Sequence, residues 1–194
     1  MTKIIGLTGG IGSGKTTLAN YIMSLGIPVY IADEEAKKIF LNPMILQKIK
    51  TAFGETIFEN NILSKDRLAK IVFNDAHKLK KLNDIIHPAV KAHFEIWLKQ
   101  FNDKPFVVKE AAILFESGSY KNCDVIITVI APLKTRIERV IQRDQSSEEA
   151  VLSRINNQWT DEMRIAKSDY IIENNDLSIA KQQLDEILKK MIIH

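Results

Sequence analysis

Residues Gly9-Gly10-Ile11-Gly12-Ser13-Gly14-Lys15-Thr16 satisfy the pattern G-x-x-x-x-G-K-[ST], which restricts the possible folds more than any other segment of the chain. A loop this rich in glycine adopts backbone conformations that a Cβ forbids. It turns successive N–H groups inward, at the positive end of the helix that follows, and so cradles phosphate oxygens. Lys15 can then reach the β- and γ-phosphates of a nucleotide, and the Thr16 hydroxyl can ligate Mg²⁺. The motif needs a strand before it and a helix after it. Lys3–Leu7 is a short apolar run that reads as a buried strand, and Lys15–Leu25 reads as a helix stopped by Gly26. Pro28–Ile31 is a second short strand leading to Asp33. Strand, glycine loop, helix and strand in this order form a βαβ unit, which predicts a parallel sheet.

Beyond Asp33 the pattern changes. From Glu34 to about Asn102 apolar residues recur at helical spacing, as at Leu79, Leu82 and Ile86, and Pro43, Gly54, Asn74 and Pro88 punctuate the run. The block carries no convincing strand and reads as a helical insertion beside the core. Sheet character returns at Pro105–Val108 and at Asp124–Ile130. Pro132 opens a basic helix over Leu133–Arg143, a second helical stretch covers Glu148–Lys167, Tyr170–Glu173 makes a last strand, and Leu177–Met191 closes the chain as an amphipathic helix. The expected class is α/β, with a parallel five-stranded sheet flanked by helices and a helical insertion.

Composition narrows the partners. At 194 residues the chain can bury one sizeable core, and 45% hydrophobic with 26% charged residues is ordinary for a soluble globular protein. A net charge of +3 is too mild to indicate nucleic acid on bulk charge. Cys123 is the only cysteine, so no intrachain disulfide forms; opening the apolar stretch to Ile130, it reads as a buried structural thiol. Met1-Thr2-Lys3 and the glycine-broken run after it do not read as a signal peptide, and no run reaches transmembrane length. A cytoplasmic protein is expected, acting on a small molecule rather than on nucleic acid or membrane, as a monomer or weak homo-oligomer.

A phosphate loop serves GTPase switches, ATPase motors and small-molecule kinases alike. The guanine-reading Asn-Lys-x-Asp motif is missing, and nothing marks a motor assembly. A kinase needs a group at the acceptor hydroxyl, an acidic residue near Mg²⁺, and cations for the transferring phosphoryl. Asp33 follows the second strand, where ligands of open α/β sheets gather, and can take the proton of an attacking alcohol; it equally suits an N-cap for a helix beginning at Glu34. Glu110 ends the run Phe106-Val107-Val108-Lys109 and can hold Mg²⁺, or be a solvated strand end. Arg136, Arg139 and Arg143 share a helix face, with Arg154 and Arg164 on later segments; they form either a solvated cationic face or a source of charge for the transition state.

At this point the chain resembles the dephospho-CoA kinase family. Ile5 through Thr17 is similar to that family's phosphate loop almost residue for residue, and Ala32-Asp33 with Ala36 resembles its D-A-D-x-x-A segment. Ile86-His87-Pro88 is similar to a histidine–proline pair in its acceptor region, and Leu114-Phe115-Glu116 to the end of its D-x-P-L-L-F-E stretch. Gln142-Arg143-Asp144, Gln158, Arg164 and Asp169–Asn174 resemble its lid and adenine-side segments. Ile31 replaces the first Asp of D-A-D, Glu110 replaces the Asp of the later motif, and Ala112 replaces its proline.

The resemblance implies a P-loop kinase core at 1–33 and 105–194, a lid at about 140–168, and a helical acceptor domain at 34–104. It implies ATP-dependent phosphorylation of the ribose 3′-hydroxyl of dephospho-CoA with Mg²⁺, the last step of coenzyme A synthesis. Asp33, Lys15 and Arg143 would be catalytic. Gly10, Ile11, Gly12, Ser13, Gly14, Lys15, Thr16, Thr17 and Asn174 would bind ATP, while Thr16 and Glu110 would hold the metal. Asp33, His87, Glu110 and Leu114 would meet the acceptor, although a histidine before proline is equally a helix boundary.

Overall fold

The computed structural model describes residues 2–73 and 75–193; Asn74, read above as a break, lies outside them. The elements run β1 (Lys3–Thr8), α1 (Lys15–Ser24), β2 (Val29–Ile31), α2 (Ala32–Ile39), α3 (Pro43–Phe53), β3 (Phe58–Glu59), β4 (Ile62–Leu63), α4 (Lys65–Phe73) and α5 (Ala76–Leu98). There follow β5 (Phe106–Glu110), β6 (Val125–Ile130), α6 (Leu133–Asp144), α7 (Glu148–Asn156), α8 (Asp161–Ile165), β7 (Tyr170–Glu173) and α9 (Leu177–Ile193). The chain divides into two compact units, Met1–Ile31 with Phe101–His194, and Ala32–Gln100.

The first unit is built on a five-stranded sheet in the order β2-β5-β1-β6-β7, with every pairing parallel. Parallel strands covered on both faces read as continuous apolar runs, which is why β1, β5 and β6 stand out in the sequence. Alternate positions Ile5, Leu7, Phe106, Val108, Ile127, Val129 and Ile172 form one face, packed against Leu18, Ala19 and Ile22 of α1 and Ala180, Leu184, Ile187 and Leu188 of α9. On the other face, a Cβ at Gly6 would fall inside 3.0 Å of both Leu114 and Cys123, so a glycine there lets these side chains sit directly on β1. Cys123, expected as a buried thiol, is partly buried. Burial still pushes its pKa up to about 11.

The second unit has its own core of Ile39, Ile45, Ile49, Ile57, Leu68, Val72, Leu82 and Ile86, with α5 packed along α2, α3 and α4. It contains a strand pair that the helical reading missed. β3 and β4 pair antiparallel across Asn60 and Asn61, whose φ values of 50° and 63° are the left-handed pair of a tight hairpin, a conformation asparagine tolerates. Leu79, counted in the apolar stripe, is 44% exposed. Pro88 is no boundary either, since α5 runs through it. Pro88 is exposed, so water can reach the Asp84 carbonyl that its missing N–H leaves without an i+4 donor. In the first unit, the helical stretch expected over Glu148–Lys167 consists of two helices, α7 and α8, because the Thr160 hydroxyl accepts from the Met163 N–H and starts a new helix. No helix among the described residues is long and apolar enough to cross a membrane.

Candidate functional site

The loop between β1 and α1 takes its shape from distant side chains that grip its carbonyls. Arg136 of α6 is buried and donates from Nε to the Ile11 carbonyl at 2.9 Å. Asn174, just past β7 and 2% exposed, donates from Nδ2 to the Ser13 carbonyl at 2.8 Å. Arg139 reaches the Gly12 carbonyl at 3.5 Å and the Asn174 carbonyl at 3.1 Å. In a trans peptide the carbonyl and the next N–H point opposite ways. Holding the Ile11 and Ser13 carbonyls outward therefore turns the Gly12 and Gly14 N–H groups in the other direction, and both glycines line a cavity of about 440 Å³. The glycines also make room for the grips. A Cβ at Gly10 or Gly12 would collide with Arg136, and one at Gly14, whose φ is 91°, with the Asn174 amide.

Helix α1 begins without a side-chain cap and without an acid in its first turn. The N–H groups of Lys15, Thr16 and Thr17 have no partner within the helix, and the first intrahelical bond runs from the Leu18 N–H to the Gly14 carbonyl. The positive end of the helix thus opens beside the loop. The remaining cavity wall is Lys15, Thr16, Thr17 and Asn20 from α1, with Arg139, Val140 and Arg143 from α6. Three cations and no carboxylate make it a receptor for a polyanion.

Glu110, the last residue of β5, stands in register with Leu7 and Ile31 and is 1% exposed, so it is not a solvated strand end. Its Oε1 accepts from the Thr16 hydroxyl at 3.3 Å and lies 3.6 Å from the Lys15 ammonium, which supplies the positive charge that so buried a carboxylate requires. The Thr16 hydroxyl and the Glu110 carboxylate are hard oxygens of the kind Mg²⁺ takes, and two of them suffice when nucleotide phosphates fill other positions. Among the described residues no group of three or more His, Cys, Asp or Glu side chains could hold a metal by itself. The residues present therefore fit a cation that arrives with a nucleotide.

The arginines expected on one helix face divide their work. Arg136 and Arg139 hold the loop, Arg139 lining the cavity as well, and Arg143 lines the cavity and makes a two-point bond to Asp144 at 2.7 and 3.0 Å. Asp144 also accepts from Arg154 at 2.8 Å. The Arg143 guanidinium first, and Arg154 second, hold its carboxyl well below the usual carboxylate range. Arg164 is fully buried, bonded to Glu116 at 3.2 Å, to Asp161 at 3.4 Å and to the Trp159 carbonyl. Burial draws its pKa down, and the two carboxylates oppose that. Glu116 also takes the Trp159 N–H at 2.9 Å, and the Trp159 ring stacks on Phe115 at 5.3 Å. The Leu114-Phe115-Glu116 segment thus anchors residues 159–164.

Three residues of the first unit that were expected at the ligand face elsewhere. Leu114 is fully buried against β1 and offers a ligand no surface. Asn174 grips the loop from within the protein and is not part of the cavity wall. Ile11 turns its side chain into an apolar cluster with Val140 and Val151, and its N–H donates to Gln158 Oε1 at 2.9 Å. In the second unit, Asp33 is exposed within the first turn of α2. The helix starts at Ala32, directly after β2, so Asp33 is not the N-cap that the sequence allowed; its carboxylate instead benefits from the helix dipole. His87 is half-buried in α5, and burial pulls its pKa below the ordinary value, with Asp84 opposing. Sequence reasoning missed Asn20, although its spacing from Thr16 and Thr17 places it on their face of α1.

The dephospho-CoA kinase family profile matches residues 3–180. A dephospho-CoA kinase of Bacteroides fragilis is 39% identical over 172 residues, 88% of this chain and 84% of that protein. The crystal structure of a Thermus thermophilus protein superposes with a TM-score of 0.89 at 32% identity, covering 97% of each chain. The dephospho-CoA kinase of Campylobacter jejuni superposes with a TM-score of 0.71 at 29% identity over 98% of each. With a parallel sheet, a phosphate loop gripped from α6 and from Asn174 just past β7, and this similarity along almost its whole length, the chain belongs to the dephospho-CoA kinase family.

Proposed function

We propose that this protein transfers the γ-phosphoryl group of ATP to the ribose 3′-hydroxyl of dephospho-CoA, giving coenzyme A and ADP in the last step of coenzyme A synthesis. The observation that carries the reading is the cationic cavity at the start of α1, where Lys15 and Thr16 converge on the buried Glu110.

The chain's own groups suit phosphoryl transfer, which depends on positioning and charge more than on covalent chemistry. The N–H groups of Gly12, Gly14, Lys15, Thr16 and Thr17 hold the donor phosphates. Lys15 shields the charge that gathers on the transferring group, and its contact with Glu110 keeps the ammonium beside Thr16. Arg143, held at the cavity wall by Asp144, supplies a second cation. Thr16 and Glu110 would hold Mg²⁺, which when bound neutralises charge on the phosphates. Asp33, lying two residues beyond the end of β2, accepts the proton of the acceptor hydroxyl. Residues 34–104 bind dephospho-CoA, with His87 among its contacts, and residues 140–168 act as the lid. A cytoplasmic location accords with a single half-buried cysteine and with the absence of a membrane-crossing helix among the described residues.

Turnover with dephospho-CoA, a nucleoside monophosphate and a sugar acid, compared under one set of conditions with ATP and Mg²⁺, tests the acceptor. A strong preference for dephospho-CoA is expected. Preference for a nucleoside monophosphate overturns the reading.

A further inference from the structure

The middle of the phosphate loop is held by residues that never face the cavity. Two successive peptide groups meet at Ile11. In the first, the Gly10 carbonyl accepts the Ser13 N–H at 3.1 Å, and the Ile11 N–H points the opposite way onto Gln158 Oε1 at 2.9 Å. In the second, the Ile11 carbonyl lies on Arg136 Nε, so the Gly12 N–H is aimed away from it. Arg136 is itself set by Asp161 at 3.0 Å, and Asp161 also holds the buried Arg164. Both grips on Ile11 therefore come from, or lean on, residues 158–164, which Phe115 and Glu116 anchor. The Ile11 side chain adds a third tie, packing with Val140 and Val151.

We infer that Gln158 is a positioning residue for ATP: its side-chain oxygen fixes the Gly10–Ile11 peptide, and through it the direction of the Gly12 N–H. The affinity of the loop for the donor phosphates then depends on the docking of residues 158–164. This rests on the reading of the loop as the ATP site, and it adds a residue that touches neither ATP nor the acceptor. Gln158 is half-buried in the turn between α7 and α8, where its own N–H bonds the Ile155 carbonyl, so a change of side chain leaves the turn's backbone bond in place.

The test is calorimetric titration of ATP with Mg²⁺ into wild-type protein and into Gln158→Ala, Gln158→Met and Gln158→Glu. It needs no acceptor, so it reports on Gln158 even if dephospho-CoA is not the substrate. Losing one hydrogen bond to the backbone raises the Kd of Gln158→Ala and Gln158→Met about three- to tenfold. Gln158→Glu, which keeps an acceptor oxygen, stays within about twofold of wild type. The Ile11 amide resonance shifts and exchanges faster in the first two variants only. Wild-type affinity in Gln158→Met, or equal weakening in Gln158→Met and Gln158→Glu, overturns the inference. If Gln158→Ala does not fold, the comparison of the two long side chains decides alone.

Discussion

Substituting Gly14 by alanine puts the account of the loop under direct strain. Gly14 sits at φ 91°, where an L side chain costs about 1–2 kcal/mol. The new methyl falls inside 3.0 Å of Asn174 Nδ2, so the Asn174 amide must leave the Ser13 carbonyl it holds at 2.8 Å. Leaving those buried groups unpaired costs a further 1–3 kcal/mol or so. Gly14→Ala is thus expected to destabilise by about 3 kcal/mol, or roughly 6–12 °C in Tm for a chain of this size. Asn174→Ala alone should cost about 2 kcal/mol, by losing the same bond. The double variant gives the methyl its space, so it should cost little more than Gly14→Ala by itself. The two effects then fall short of additive by about 1–3 kcal/mol, the bond that both single variants break. Urea unfolding of the four proteins without nucleotide measures this. Additive losses, or a Gly14→Ala variant as stable as wild type, would refute the argument that the Asn174 grip and the glycine depend on each other.

Two further outcomes are expected. Asp33→Asn should lose most of its turnover while binding ATP normally by calorimetry, since Asp33 is assigned to the acceptor proton and not to the donor phosphates; near-normal turnover leaves it only a helix-dipole role. Cys123, with its pKa pushed up to about 11 by burial, should be almost wholly thiol at neutral pH and react slowly with a disulfide reagent. Its rate should climb as pH rises toward that value and jump on unfolding, and fast labelling of the native protein at pH 7 would contradict the burial argument.

Much of the first unit was legible because its strands are buried on both faces and show as apolar runs, and because a glycine loop between strand and helix has one well-known geometry. Strand order was not legible, since β5 reaches its place between β1 and β2 only after the long second unit. The β3–β4 hairpin hid in a block of helical periodicity; the Asn60-Asn61 pair was its one local signal. The arginines of α6 had visible spacing, but spacing gives only a shared face. That Arg136 grips the carbonyl of Ile11, 125 positions away, depends on how the chain folds back, and no local pattern encodes it. Asn174 and Leu114 were noticed as motif members, and their burial shows that a motif position can serve the loop or the core rather than a ligand. Glu110 went the other way: one carboxylate at a strand end was ambiguous until Lys15 and Thr16 stood beside it.

The most direct test follows the phosphoryl group itself. ATP labelled at the γ-phosphate is incubated with the protein, Mg²⁺ and dephospho-CoA, and the product is examined by mass spectrometry and phosphorus NMR. The account predicts coenzyme A carrying the label as a 3′-phosphomonoester, formed together with ADP. ATP bound by folded protein with no labelled coenzyme A, or label at a different hydroxyl, would contradict it.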